Sequence, residues 1–404
     1  MRPAPTVRQH VHRIIVASAF VVAIATTMRA APAQNSMHGC VDHFDAAVDY
    51  FPDKVAIEDA TNFTVDYRKS YKVITVKVPY PGGVAERYVL PQCGTPTPAL
   101  TGSLAGAQVI PVPIASLFSA STTHIPLLVD LKRVDVLTGV SQLAYIEEPE
   151  VLTRIRAGRV VEFSGAGQNI DVERIVAARP AVFMSSGAMS PSFAVIQGAG
   201  IPIVSNSEWL EPTGLARAEW IKFMAVLLNE ERQAQAVYGA MKHRYADTTR
   251  RATSSPSSTW PAIMTGRSTR GVFVIAGGRS YVAQFIKDAG GRYVWAENTA
   301  IGSPSVDLET QVRRAANADI WINGGGWKDR AAMLQDEPRY AEFKAFRTGQ
   351  VWVYERRERP NGANDYWTRS VSRPDLVLLD LVKIFHPTLA TDRDFEWYMK
   401  VPGM

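Results

Sequence analysis

The sequence predicts an α/β protein: two lobes joined by one long α-helix, with a small β-rich extension ahead of them. Three observations carry this. Strand-like and helix-like segments alternate in two separate runs, which argues for parallel sheets with helices on their faces. A helical stretch without proline, Thr213 to Ala252, lies between the two runs. The first 33 residues differ in character from everything after them.

That first segment has Arg2, Arg8 and Arg13 before the apolar run "IIVASAFVVAIA", and "APAQ" follows after a short gap. It reads as a secretory signal cleaved after Ala33. The run is shorter than the about 20 residues a bilayer-spanning helix needs. Four of the 44 basic residues (Arg2, Arg8, Arg13, Arg29) fall in it and no acid does, which leaves 40 bases against 39 acids. The basic character therefore belongs to targeting and gives no support for a nucleic-acid partner. Hydrophobic content of 46% and charged content of 21% are ordinary globular values, so the remainder can bury a large core.

Residues 34–100 form the extension. "NFTVDY", "YKVITVKVPY" and "RYVLPQC" are β-branched and aromatic, with "YPGGV" as a turn between the last two. Its plainest role is to cover one edge of the next domain. The only cysteines, Cys40 and Cys93, lie here. In an exported chain an isolated pair reads first as a disulfide. Closing a loop of about 50 residues stabilises by roughly 4 kcal/mol in the entropic model. His38 and His43 flank Cys40 and keep a metal pair as the alternative. A lipid anchor on Cys40 is not expected, because "MHGC" lies well past the apolar run.

The first lobe spans 101–229. "AQVIPVPI" reads as a strand, and "HIPLLVDLKRVDVLTGV", "DVERIVAARPAVFMSS" and "PSFAVIQGAGIPIVSN" each read as helix then strand. The linking segment 230–253 holds a helix from about 230 to 251, roughly 33 Å long at 1.5 Å per residue. Asn229 is its expected N-cap, Glu230 and Glu231 suit its first turn, and Arg250 and Arg251 its last. Ala234, Val237, Tyr238, Met241 and Tyr245 fall on one stripe. The second lobe, 254–404, opens after "SSPSSTWP". "AIMTGRS" and "GVFVIAGG" read as strands, "SYVAQFIKDAGG" as a helix, "LETQVRRAANADIWINGG" as helix then strand, and "AFRTGQVWVYE" as ending in a strand. "RPDLVLLDLVKIFHP" is a closing helix with proline in its first turn and just past its end. "DVERIVAARPAVFMSSG" and "DLETQVRRAANADIWINGG" echo each other, each with an acid, Glu173 or Glu309, near a helix start.

Recognisable catalytic motifs are missing. There is no G-x-S-x-G elbow, no Walker A and no G-x-G-x-x-G; "NGGGW" follows a strand but lacks the Lys-Ser/Thr of a phosphate loop. The histidines show no H-E-x-x-H spacing.

The order of these parts resembles the periplasmic binding proteins that feed ABC importers for vitamin B12 and iron–siderophore complexes. The local matches are "NIDVERIVAARPAVFM", "AEWIKFMAVLLNEERQAQAVY", "SYVAQFIKDAGGRYVW" and "NDYWTRSVSRPDLVLLDLVKIFHP". The resemblance implies two Rossmann-like lobes, a ligand cleft between them, and a soluble periplasmic monomer that is not an enzyme. It implies an ABC permease as partner, docked through a glutamate on each lobe; Glu173 matches in "NIDVERI" and Glu309 is the counterpart. It implies as ligand a small metal chelate (a ferric siderophore, cobalamin or haem) and no resident cofactor or protein-held metal.

Binding loops in such sheets follow the carboxyl ends of strands. Loop-tip aromatics Tyr145, Trp209, Tyr281 and Trp327 suit a broad planar ligand. Arg267, Arg270, Arg279 and Arg356 suit the anionic oxygens of a chelate. Two other readings stay open: capture of a bare transition metal by the same fold through His124 or the Cys40/His43 region, and an exported α/β hydrolase.

Overall fold

The computed structural model describes Met1, residues 3–4, 39–164 and 169–403. The chain divides into Met1–Ala33, where the expected signal segment falls almost wholly outside the described residues, and Gln34–Met404, whose architecture follows.

The extension is a sheet in the order β1 (Phe63–Tyr67), β2 (Tyr71–Val76), β3 (Glu86–Pro91), β4 (Gln108–Val109). The first three strands are antiparallel and β4 joins β3 in parallel. The strand expected in "AQVIPVPI" thus closes the extension instead of opening the first lobe, past the 100/101 boundary read from composition. Pro111 and Pro113 explain this: proline cannot donate to a ladder, so that run cannot lie inside a sheet. Cys40 and Cys93 are joined in a disulfide.

The first lobe is built from β5 (Leu117–Ser119), α1 (Ile125–Asp130), β6 (Leu137–Val140), α2 (Pro149–Arg156), β7 (Val161–Glu162), α3 (Val172–Ala178), β8 (Val182–Ser185), α4 (Ser192–Gly198) and β9 (Ile203–Ser205). Its sheet is parallel throughout, in the order β7-β6-β5-β8-β9. Alternate strand residues face opposite ways, as a period of two requires. Phe118, Phe183 and Ile203 enter one apolar layer with Ile175 of α3 and Ile196 of α4. Leu117, Met184 and Val204 enter the other, shared with α1 and the extension.

α5 (Gly214–Ala218), α6 (Trp220–Leu228) and α7 (Glu231–Ala252) lead out of this lobe. α7 contributes Ala234, Tyr238 and Met241 to the first core, with Val237 packed against it, and Tyr245 and Ala252 to the second. One corrected expectation concerns Asn229. It is not the N-cap of α7 but the left-handed residue (φ 58°) that ends α6. Asparagine tolerates that conformation, and its buried amide is engaged on both atoms, by Lys72 Nζ at 2.7 Å and Gln92 Oε1 at 2.9 Å.

The second lobe contains β10 (Ala262–Thr265), β11 (Arg267–Thr269), β12 (Val272–Val274), α8 (Tyr281–Asp288), β13 (Arg292–Tyr293), β14 (Ser305–Asp307), α9 (Leu308–Ala315), β15 (Ile320–Ile322), α10 (Arg330–Asp336), α11 (Lys344–Arg347), β16 (Val351–Val353), α12 (Asp365–Arg369), α13 (Pro374–Phe385) and β17 (Met399–Lys400). Its main sheet runs β13-β10-β15-β16-β17, with only β17 antiparallel. β11, β12 and β14 form a small antiparallel sheet beside it.

The extension does more than cover an edge. Gln108 does cap the edge strand β9, with two hydrogen bonds of 2.9 Å to the backbone of Ile203. Elsewhere two buried carboxylates, Glu211 ahead of α5 and Glu219 between α5 and α6, draw the extension's backbone in. Glu219 accepts from the N–H groups of Glu58, Asp59 and Ala60, and Glu211 from those of Thr61 and Asn62. Lys72 pairs with Glu231 at 2.8 Å, both side chains fully buried. Among the described residues no helix is long and apolar enough to cross a membrane.

Candidate functional site

In each lobe the strand order reverses once, next to β5 in the first and next to β10 in the second. Ligand crevices in open parallel sheets lie outside the carboxyl ends of the strands at such a reversal. A cavity of about 450 Å³ lies at that place in the second lobe, lined by Thr265 at the end of β10, Gly266 after it, and Asn323 to Gly325 after β15. Tyr281, Tyr354, Tyr366, Trp367 and Arg267 complete its walls.

Local sequence explains these positions. Gly266 has φ +89°, and a Cβ there would stand 1.8 Å from Val274 O, so only glycine allows the chain to turn from β10 into the β11–β12 hairpin that carries Arg267. A Cβ on Gly325 would meet Arg267 Nη1 at 2.8 Å, and one on Gly324 the Trp327 ring at 2.3 Å. The close approach that "NGGGW" permits is therefore made by side chains of this chain. Asn364 caps α12 by accepting from Tyr366 N, which fixes Tyr366 and Trp367 at the helix start. Tyr354 stacks on Tyr366 at 4.4 Å, 8° from parallel, and Trp367 stands edge-on to Tyr354 at 5.0 Å. Trp367 stays 48% exposed, so an aromatic face is open to a guest. Arg217 lies 4.6 Å over the Tyr281 ring and is held by Glu208 at 2.8 Å.

A smaller cavity of about 240 Å³ occupies the matching place in the first lobe, lined by Ser119, Ser121, Thr122, Ser141, Gln142 and Tyr145. α12 packs against the Thr122–His124 turn beside it. The loop before α12 reaches across as well: Asn361 Nδ2 donates to Ala144 O at 2.9 Å, and Arg359 pairs with Glu147 at 2.6 Å. Residues 359–367 thus touch the surroundings of both cavities.

Electrostatics sharpen this picture. Burial, with the charge of Glu358 added, pushes the Glu355 carboxyl up to about 7. Its Oε2 is buried without a hydrogen-bond partner among the described residues. His124 is fully buried, with Nδ1 2.8 Å from Ser119 Oγ, and burial holds its ring neutral by lowering it to about 3. The thiols of Cys40 and Cys93 are bonded to each other. Among the described residues no three His, Cys, Asp or Glu side chains converge as a metal-sized set.

The residues singled out from sequence scatter. Arg267 and Tyr281 line the second-lobe cavity and Tyr145 the first-lobe one. Trp209 is 44% exposed, its indole donating to Ser186 O at 2.9 Å. Arg270 sits exposed in the β11–β12 turn with φ 54°, and Arg356 is exposed with its backbone N–H on Trp397 O; neither lines the cavity. Arg279 lines a different cavity. Trp327 is a core residue, 8% exposed, packed on Trp321 at 5.5 Å and Tyr340 at 5.6 Å. Cavity residues not singled out from the sequence are Tyr354, Tyr366 and Trp367, with Glu355 next to Tyr354 in the chain. Tyr354 and Glu355 sit at the carboxyl end of β16, and that position was the signal that could have found them.

Glu173 and Glu309 occupy equivalent places. Each is exposed at the second position of its helix, behind an aspartate cap: Asp171 accepts from Arg174 N at 3.0 Å, and Asp307 from Thr310 N at 2.7 Å. Glu309 lies 3.6 Å from Arg313.

Comparison with known proteins agrees with this geometry. A family model described as periplasmic binding protein matches residues 114–357, more than half of the chain. An uncharacterised lipoprotein of Methanocaldococcus jannaschii is 24% identical over 328 residues, covering 78% of this chain and 76% of that protein. A possible iron-binding periplasmic solute-binding protein from Staphylococcus epidermidis superposes with a TM-score of 0.53 at 15% identity, covering 68% of this chain and 99% of its own. A periplasmic heme binding protein from Pseudomonas aeruginosa gives 0.51 at 18% identity, over 68% and 94%.

Proposed function

The chain belongs to the periplasmic binding protein family, and from that premise we propose that it captures a metal chelate between its lobes and hands it unchanged to an ABC permease. The observation that carries this is the aromatic cavity at the strand-order reversal of the second lobe, opposite a hydroxyl-lined hollow in the first. Tyr281, Tyr354, Tyr366 and Trp367 offer flat apolar faces to an extended guest. Arg267 supplies a fork for an anionic oxygen on the chelate. The chelator fills the metal's coordination sphere, so the protein needs no ligand set of its own. A possible iron-binding protein and a heme binding protein among the structural neighbours support the ligand class.

Glu173 and Glu309 are the proposed docking acids. Matched carboxylates on two lobes would set orientation and encounter rate on a basic permease surface more than bulk affinity. We place the mature protein free in the periplasm as a monomer. The M. jannaschii relative is named a lipoprotein, so the intact mass of the exported protein decides this point: a diacylglyceryl adduct refutes a free form.

The test is a titration of purified protein with ferric hydroxamate, catecholate and citrate chelates, cobalamin and haem, followed by tryptophan fluorescence. One class is expected to saturate at a single site. Tyr354→Ala and Arg267→Ala should each weaken that class by tenfold or more. Failure of every chelate to bind would overturn the reading, as would a bound chelate indifferent to both substitutions.

A further inference from the structure

A second cavity, about 580 Å³, lies where the linking region enters the second lobe, and nothing in the proposed function uses it. Pro212 and Thr213, just ahead of α5, form one wall; Ser257 and Trp260, just after α7, form another. α8 and the start of β13 complete it with Arg279, Lys287 and Arg292. Its lining holds those three cations and no carboxylate.

The state of the cations is the informative part. Some arginines and lysines on this lobe are paired, as Arg314 is with Glu297, Arg339 with Glu342 and Lys344 with Asp319. Among the described residues Arg279, Lys287 and Arg292 form no ion pair, though the charge of Arg292 acts on Asp319 and that of Lys287 on Asp288. The nearby acid Asp288 accepts from Tyr245 and Gln284; burial raises its carboxyl, while those bonds and the charge of Lys287 lower it. Arg292 spends one N–H on the backbone carbonyl of Trp260 at 3.3 Å. Arg279, Lys287 and Arg292 are all exposed and border one hollow, where a guest that supplies several negative charges would meet all three. Trp260 is half-buried and Tyr293 buried, so the walls are flat and aromatic.

We propose that this cavity is a second ligand site, separate from the chelate cleft, for a small planar polycarboxylate. Two guanidinium forks match carboxylates in the bidentate manner, the Lys287 ammonium takes a third as a point charge, and the aromatic walls take the flat body. A dianion too small to span the hollow would reach only part of the set.

Benzene-1,3,5-tricarboxylate is the probe, with benzene-1,3,5-trimethanol as its uncharged counterpart and inorganic phosphate as the small anion. Isothermal titration and tryptophan emission are read at pH 7 in low salt. The tricarboxylate is expected to bind at one saturable site, at least tenfold more tightly than phosphate, with no binding of the triol. Arg279→Gln with Arg292→Gln should weaken it at least tenfold while leaving the ligand-free melting temperature unchanged. Lys287→Gln, on the exposed side of α8, is the second variant and should weaken it three- to tenfold. Absence of saturable binding to the wild-type protein overturns the proposal, and so does binding that Lys287→Gln leaves intact. The experiment needs no chelate, so its failure leaves the proposed function standing.

Discussion

Glu219→Ala tests how the extension is held. The side chain is fully buried. It accepts from Glu58 N at 2.9 Å, Asp59 N at 2.6 Å and Ala60 N at 2.7 Å, and pairs with buried Lys222 at 2.6 Å. Alanine leaves three N–H groups and an ammonium without their acceptor. Removing one member of a buried pair costs about 3–5 kcal/mol, and each orphaned donor about 1–3 kcal/mol. The full sum is not reached. Lys222 keeps Ala56 O at 2.7 Å and Glu58 at 3.3 Å, and residues 58–60 are exposed enough for the freed N–H groups to meet water. The expected loss is about 3–5 kcal/mol. Urea unfolding followed by tryptophan emission measures it, and limited proteolysis should show new cleavage between residues 52 and 62. Glu219→Gln should recover part of the loss, because one oxygen still accepts while the amide nitrogen opposes a donor. A loss below about 1 kcal/mol for the alanine variant, with the segment still protected, would refute the view that these bonds anchor the extension.

Glu355 sets a pH dependence. Its folded value, about 7, lies above its ordinary 4.5. Below the ordinary value both folded and unfolded chains carry the proton, so the group is neutral to stability there. Between 4.5 and 7 the unfolded chain ionises first, so stability falls as pH rises and levels off above about 7. Glu355→Gln should remove that slope and raise stability at pH 8 by about 1–3 kcal/mol, a range reduced for the solvent the group still meets. Glu173→Ala with Glu309→Ala should leave chelate affinity within twofold yet abolish uptake in cells; normal uptake would refute the docking roles. Replacing Cys40 and Cys93 together by serine should cost about 2–4 kcal/mol in the same urea assay, with chelate binding retained.

Much of the fold was legible because its signals are local. Asp171 and Asp307 announce helix starts, Pro374 opens α13, and period-two runs such as "AVFM" mark buried strands whose neighbours are short loops away. What was missed depends on partners far off in the chain. Asn229 looked like an N-cap beside Glu230 and Glu231, yet Lys72 and Gln92, more than 130 residues earlier, hold it at positive φ. The grip of Glu211 and Glu219 on residues 58–62 spans about 150 positions, and no periodicity records it. In the site, Arg267 was legible from its place after a strand. Trp327 follows a strand too, but three glycines let it fold back into the core. Tyr366 and Trp367 lie in the segment "NDYW" that carries part of the family resemblance, while their aromatic stacking depends on Tyr354 across the sheet end.

The contacts along α7 bear on how the cleft can work. On its first-lobe half, Glu231 pairs with Lys72, Arg232 with Asp53, and Tyr238 and Lys242 both reach Asp59. On its second-lobe half, Arg244 pairs with Asp375 and Tyr245 donates to Asp288. The two sets meet between Lys242 and Arg244, so no length of the helix is left ungripped to act as a hinge. A lobe rotation would have to break one set or bend a regular helix that lacks proline. The extension, by bracing α6 and α7, therefore favours a cleft whose shape exists before the ligand arrives. If the proposed function holds, selectivity would then come from local adjustment of Trp367, Tyr281 and Arg267 around the guest, and substitutions at those side chains should change which chelate is held more than how far the lobes move.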